Sequence, residues 1–131
     1  MPYAAPLPTE KVFPKTTNSP FVETTLQASI QDQGIKRLVV CGLMTAHCVA
    51  MTVRMASNLD VVKHSYGIPD LDESKRGAIV LVSDGTATFD VEFEGKPYDA
   101  ETVHAVHLAT MKNEFCDVER TKDVIALLEN K

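Results

Sequence analysis

The chain has 131 residues, 44% apolar and 24% charged, the profile of one ordinary folded domain rather than a disordered chain. Thirteen Lys and Arg against eighteen Asp and Glu leave a net charge of −5, with no basic cluster to suggest nucleic acid as a partner. The longest apolar runs, residues 38–41 and 78–82, are far short of the roughly 20 residues that span a bilayer, so no membrane partner is expected.

Pro2, Pro6 and Pro8 make residues 1–9 an extended lead-in with no secretory leader. Residues 11–14 suit a short edge strand. Ser19 and Pro20 offer a cap and a first-turn proline for a helix over 21–33, in which Phe21, Thr25, Ala28 and Ile30 partly share a face. Gly34 should end it. Residues 37–42, RLVVCG, form a continuous apolar run, which suits a strand buried on both faces of a parallel sheet. After Thr45 and His47, Ala46, Val49, Val53 and Ala56 recur at helical spacing, predicting a helix to about Leu59. Residues 78–83, AIVLVS, are a second buried strand. Strand, helix, strand is a βαβ unit.

Residues 60–77 carry Gly67, Pro69 and a charged run from Asp70 to Arg76. That is long for a helix-to-strand connection and reads as a lid or a surface insertion, the charges favouring the insertion. Val61 and Val62 suit a brief extended piece. Residues 84–99 read as a polar loop. Asp99 can cap a helix over 100–114, with Glu101 favourable in its first turn. Residues 115–118 suit a last short strand, and Thr121 can cap a closing helix through Leu128. The alternation gives an α/β class, a three-layer α-β-α arrangement around a parallel sheet.

Ligands of open α/β sheets bind beyond the carboxyl ends of the strands. Cys48 falls there, after a strand and a glycine, in the first turn of a helix. Backbone N–H groups and positive potential at a helix start favour a thiolate and can bind a developing oxyanion. Position alone leaves Cys48 open between a nucleophile and the small buried hydrophobe that a free Cys usually is. Lys15, after a strand and a proline, would lie at the same sheet edge. By itself it reads first as a solvated loop lysine.

The other candidates have plainer readings. His47, adjacent to Cys48 on a helix, points elsewhere and reads as exposed or capping. His104 shares a face with Leu108 and Met111 and reads as a bonded core histidine. His104 and His107 are spaced for a shared metal, but no third ligand presents itself. Cys41 and Cys116 read as inert strand residues, Asp84 as a turn cap. The odd number of cysteines, without metal-site spacing, fits reduced thiols in the cytoplasm.

The segment GIKRLVVCGLMTAHCVAMTVRMA, residues 34–56, resembles the nucleophile region of the isochorismatase-like cysteine hydrolases, a family that includes nicotinamidases and N-carbamoyl amidohydrolases. Gly34, Ile35, Gly42, Thr45, Cys48, Val49, Thr52 and Arg54 carry the match. Upstream, Lys15, Ser19, Phe21, Thr24 and Leu26 fit the family's lysine motif, K-x3-S-x-F-x2-T-x-L. Downstream, SDGTAT (83–88) resembles a strand end, and His104 and Leu108 resemble the last long helix.

The resemblance implies one isochorismatase-like domain over 1–131 and a mechanism. An Asp base takes the thiol proton, Lys15 stabilises the pair, and Cys48 attacks a small-molecule amide or carbamoyl carbonyl to give a thioester that water releases. The N–H groups of Met44 and Cys48 form the oxyanion hole, and the Leu43–Met44 peptide is cis. The cysteine points to C–N hydrolysis rather than the vinyl-ether cleavage of true isochorismatases. No metal or other cofactor is implied.

The departure is at the N-terminal side. Family members have an apolar strand ending in the catalytic Asp, then a helix and another strand, and the nicotinamidase metal ligands belong to the same part. Here the first aspartate is Asp32, within a helix, and nothing in the sequence places Glu10 at Cys48. In the family order 3-2-1-4-5-6 those strands lie between the Lys strand and the Cys strand. The gap implies either that the chain is truncated, lacking the family's N-terminal third, or that it re-pairs the edges through another copy of itself, as a homo-oligomer. The competing readings are a catalytically impaired or non-catalytic family remnant, or a thiol redox site.

Overall fold

The structure, a computed structural model, describes residues 5–62 and 78–129. In chain order the elements are α1 (Leu26–Asp32), β1 (Arg37–Leu43), a π-helical turn (Thr45–Val49) running into α2 (Ala50–Asn58), β2 (Ala78–Ala87), β3 (Val91–Phe93), β4 (Lys96–Tyr98), α3 (Ala100–Met111), β5 (Asp117–Glu119) and α4 (Thr121–Glu129). The first two apolar runs of the sequence pair in parallel, Arg37 opposite Ala78 and Val40 opposite Leu81. β5 joins the far side of β2, giving a parallel sheet ordered β1-β2-β5.

Successive β2 side chains point to opposite faces, and each face meets a different helix layer. Ile79 and Leu81, without exposed surface, pack with Val53 and Ala56 of α2, Met111 of α3 and Ile30 of α1. Val80 and Val82 pack with Val124 of α4. That is the expected three-layer arrangement. Each fully buried aliphatic side chain contributes about 1.5–3 kcal/mol.

The expectation that β1 is buried on both faces fails. Val40 is buried and Leu38 packs against the same core, but Val39 and Cys41 on the other face are exposed, and Leu43 is 66% exposed. Val124 of α4 packs against Val80 and Val82 of β2, and among the described residues no strand pairs with the outer edge of β1. Cys41 is therefore a surface thiol, not an inert interior one.

Beyond Val40–Leu81 the register slips. The next pair is Gly42–Thr86, so β2 advances five residues while β1 advances two. This bulge extends β2 past its expected end and re-aims Ser83 and Asp84. Gly85 sits where a Cβ would come within 3.0 Å of Val82 Cγ1 and 3.3 Å of Cys41 Cβ, so only glycine fits without displacement.

Other expectations are adjusted. Residues 11–14 join no strand, since none among the described residues lies beside them to bond. The first helix begins at Leu26, because Glu23 has φ 54° and breaks the turn before it. It ends as predicted at Gly34 (φ 61°), with Gly34 N–H donating to Gln31 O and Ile35 N–H to Ile30 O, a Schellman closure. Val61 and Val62 are buried in a turn, with Val61 N–H on Ala56 O, rather than extended. The rest of the expected insertion, 63–77, lies outside the described residues.

The predicted polar loop over 84–99 contains a hairpin, β3 and β4, whose two-residue turn Glu94-Gly95 has positive φ at both positions, as hairpin twist demands. α3 stops at Met111, and Asn113 (φ 67°) turns the chain back. The last strand is displaced to Asp117–Glu119.

Candidate active site

The loop ahead of α1 is held by its own hydroxyls. Thr17 Oγ1 donates to Ser19 O at 2.9 Å, the buried Ser19 accepts the Phe21 N–H on Oγ at 3.2 Å, and Thr24 Oγ1 donates to Pro20 O. Phe21 and Leu26 pack against the core. The loop thereby projects Lys15 and Asn18 toward the carboxyl end of β1.

There Lys15 Nζ lies 3.3 Å from Cys48 Sγ and donates to Thr17 O at 2.8 Å. Asn18 Oδ1 lies 3.7 Å from the same sulfur. Asn18 was not singled out from the sequence; its place between Lys15 and Ser19, in a turn aimed at the sheet edge, was the available signal. Cys48 is half-buried and Lys15 exposed, so the sulfur is reachable from solvent.

Cys48 is not in an α-helical first turn, as the spacing predicted, but in the π-helical turn before α2. Met44 O accepts from both His47 N–H (3.0 Å) and Val49 N–H (3.2 Å). Thr52 Oγ1 donates to Cys48 O at 2.6 Å, tying the turn to α2. The Leu43–Met44 peptide is cis. Met44 and Cys48, the residues whose N–H groups the resemblance assigns to an oxyanion hole, thus flank one turn at the strand end.

His47 is exposed, its ring 5.3 Å from that of Phe89. His104 bonds at both ring nitrogens, Nδ1 with Thr45 Oγ1 at 2.8 Å and Nε2 with Ser83 O at 3.1 Å. Those bonds occupy the nitrogens that a His104–His107 metal pair would need. Burial pushes the His107 imidazole down, and the nearby Arg54 and His47 add to it. Arg54 itself lies 4.6 Å over the Phe115 ring and donates to Thr110 Oγ1. Among the described residues no group of three His, Cys, Asp or Glu is placed to hold a metal ion.

Glu10 closes its own turn, accepting the Leu7 N–H at 2.7 Å. Asp84 accepts both the N–H and the hydroxyl of Thr121, at 2.7 and 2.8 Å. The cap of α4 therefore comes from the β2 bulge and not from Thr121, correcting the predicted cap. Among the described residues, Lys15 Nζ and Asn18 Oδ1 are the side-chain groups within hydrogen-bond reach of Cys48 Sγ, and neither is a carboxylate.

Residues 1–123 match the family model described as the isochorismatase domain. The isochorismatase family protein YrdC of Bacillus subtilis is 33% identical over 92% of this chain and 56% of its own length. The structure of a hydrolase assigned to the isochorismatase family from Chromobacterium violaceum superposes with a TM-score of 0.83 at 37% identity, covering 100% of this chain and 60% of that one. A shorter stretch, 42% of this chain, is 40% identical to the ureidoacrylate amidohydrolase RutB of Variovorax paradoxus, over 22% of that protein. The chain thus spans little more than half the length of the first two.

Proposed function

The chain belongs to the isochorismatase family, and from that premise we propose that it is a cysteine hydrolase of a small amide or carbamoyl C–N bond, with Cys48 as nucleophile and Lys15 as its partner. The observation that carries the reading is the 3.3 Å approach of the Lys15 ammonium to the Cys48 sulfur. The ammonium donates to the sulfur that would attack, and Cys48 is reachable from solvent at the carboxyl end of β1.

In the proposed reaction Cys48 Sγ bonds to the carbonyl carbon and the carbonyl pair moves onto oxygen, toward the N–H groups of Met44 and Cys48. Collapse expels the nitrogen with the C–N pair; it takes up a proton and leaves as ammonia or an amine. Water then adds to the thioester, the acid departs, and the thiol is restored. The substrate is a small molecule and no cofactor takes part. The same reading makes the protein a homo-oligomer of the reducing cytoplasm, where its three free thiols persist.

One observation favours a second reading, a catalytically impaired relative: the groups described around Cys48 Sγ include no carboxylate to act as base. Assay of ureidoacrylate, N-carbamoyl compounds and nicotinamide, following ammonia or amine release, tests the first. Release that disappears in Cys48→Ala supports it. Release unaffected by that substitution rejects Cys48, and no release or acylation with any of them leaves the impaired relative as the better description.

A further inference from the structure

We infer that Thr45, Thr86 and His104 form a positioning network that fixes the Gly42–Thr45 segment, and with it the Met44 N–H, for the reaction proposed above, on which this inference rests. Thr86 Oγ1 donates to Gly42 O at 2.6 Å. Thr86 Oγ1 and Thr45 Oγ1 are 3.3 Å apart, Thr45 Oγ1 is 2.8 Å from His104 Nδ1, and His104 Nε2 is 3.1 Å from Ser83 O. One continuous chain of polar atoms thus links the β2 bulge, α3 and both ends of the segment that contains Met44.

Counting protons fixes who donates. Ser83 O and Gly42 O can only accept, so Nε2 carries a hydrogen and the Thr86 proton is committed to Gly42. The Thr45 hydroxyl has one proton to place between His104 Nδ1 and Thr86 Oγ1, and the shorter contact, 2.8 Å against 3.3 Å, favours His104. Thr45 has no exposed surface and Thr86 is 8% exposed, so water does not readily replace a lost partner.

The placement matters because the network grips the backbone on either side of Met44. Gly42, at φ 124°, holds its carbonyl on Thr86 from one side; Thr45, next after Met44, is anchored from the other. An N–H donor aimed at a developing oxyanion is effective only if it is fixed before the charge appears. These residues act through Met44 and touch no substrate; they are positioning residues.

The test separates acyl transfer, which needs the donor, from alkylation, which does not. Cys48 acylation by p-nitrophenyl acetate and Cys48 alkylation by iodoacetamide are measured on the 131-residue chain and on Thr45→Val, Thr86→Val and Thr45→Ser. Acylation should fall about 10- to 100-fold in the two valine variants, the scale of a misplaced reacting geometry. Alkylation should stay within about twofold, and Thr45→Ser should recover the acylation rate. Acylation and alkylation falling together, or neither falling, overturns the positioning role while leaving the hydrolase reading intact. No acylation of Cys48 in the unsubstituted chain overturns both.

Discussion

Cys116 has no exposed surface, and burial pushes its thiol up to about 12, so it is protected in the folded chain both sterically and by protonation. Cys41 and Cys48 are the thiols that reagents can reach. Cys41 is the more exposed; Cys48 sits at the carboxyl end of β1 with the Lys15 ammonium 3.3 Å from its sulfur, and that placement should decide. Limiting iodoacetamide at pH 7, with mass-spectrometric mapping, should mark Cys48 first, Cys41 more slowly, and Cys116 only on unfolding. Lys15→Met should slow Cys48 about three- to tenfold, a modest effect because Lys15 is exposed and its field is screened. Labelling of Cys41 ahead of Cys48, or no response to Lys15→Met, would remove the ammonium from the account. Cys41 also shows a limit of reading residues one at a time. Its neighbours Val39 and Val40 look like strand interior, but whether a strand face is covered depends on what packs there. Val124 meets Val80 and Val82 of β2, while Cys41 faces solvent.

At the scale of elements, two helices start on carboxylates. Asp99 accepts from Thr102 N–H at 2.9 Å and from its hydroxyl at 2.7 Å, and Asp84 does the same for Thr121. These bonds hold both carboxyls below their ordinary 3.8. The sign follows: the native state favours the charged form, so the stabilisation is complete above about 4 and is lost as pH falls through the lowered folded values. Thermal melts of Asp84→Asn and Asp99→Asn should show a lower Tm near pH 7 and a smaller further fall between pH 5 and pH 3 than the parent. An unchanged acid response in both variants would show that the caps do not titrate as argued. Asp99 was legible because an N-cap is local: the acceptor lies three residues from its donor. The Asp84 cap was not, because it crosses from a β2 bulge to α4, and a bulge is set by register with β1. The hairpin was also missed. Its alternating VEF and KPY flank Glu94-Gly95, and the two positive-φ positions start with a glutamate rather than the Asn or Asp that marks such turns most clearly. The turn that holds Cys48 lies where the sequence predicts a helix to begin, yet its π-helical winding lies below what periodicity resolves.

For the whole molecule, the Cys48 site brings together a loop, a turn and a strand end far apart in sequence; its motifs drew out Cys48, Lys15 and Thr45, while Asn18 and the contacts of Thr45 and Thr86 needed coordinates. The arrangement holds a thiol and a cation, but among the described residues no carboxylate within reach of the sulfur. That asymmetry predicts how turnover should fail. Attack needs the Cys48 sulfur, which is reachable and has Lys15 beside it, so acylation of Cys48 need not vanish. The later steps need proton movement: the departing nitrogen must be protonated and the water that cleaves the thioester activated. General acid–base help at such steps is worth about 10²–10⁴-fold. With an activated ester, whose leaving group needs no proton, the 131-residue chain should therefore give one fast equivalent of product followed by a slow steady rate. With ureidoacrylate or nicotinamide it should turn over slowly at best. Intact mass spectrometry during the ester reaction should show one acyl group, absent in Cys48→Ala. Fast multiple turnover of an amide, lost in Cys48→Ala, would contradict this and would require a carboxylate at the sulfur from residues outside those described or from a second copy of the chain. Turnover measured per chain over a range of protein concentrations distinguishes these sources. A rate per chain that rises with concentration means that one copy completes the site of another; a rate that is independent of concentration keeps the carboxylate within a single chain.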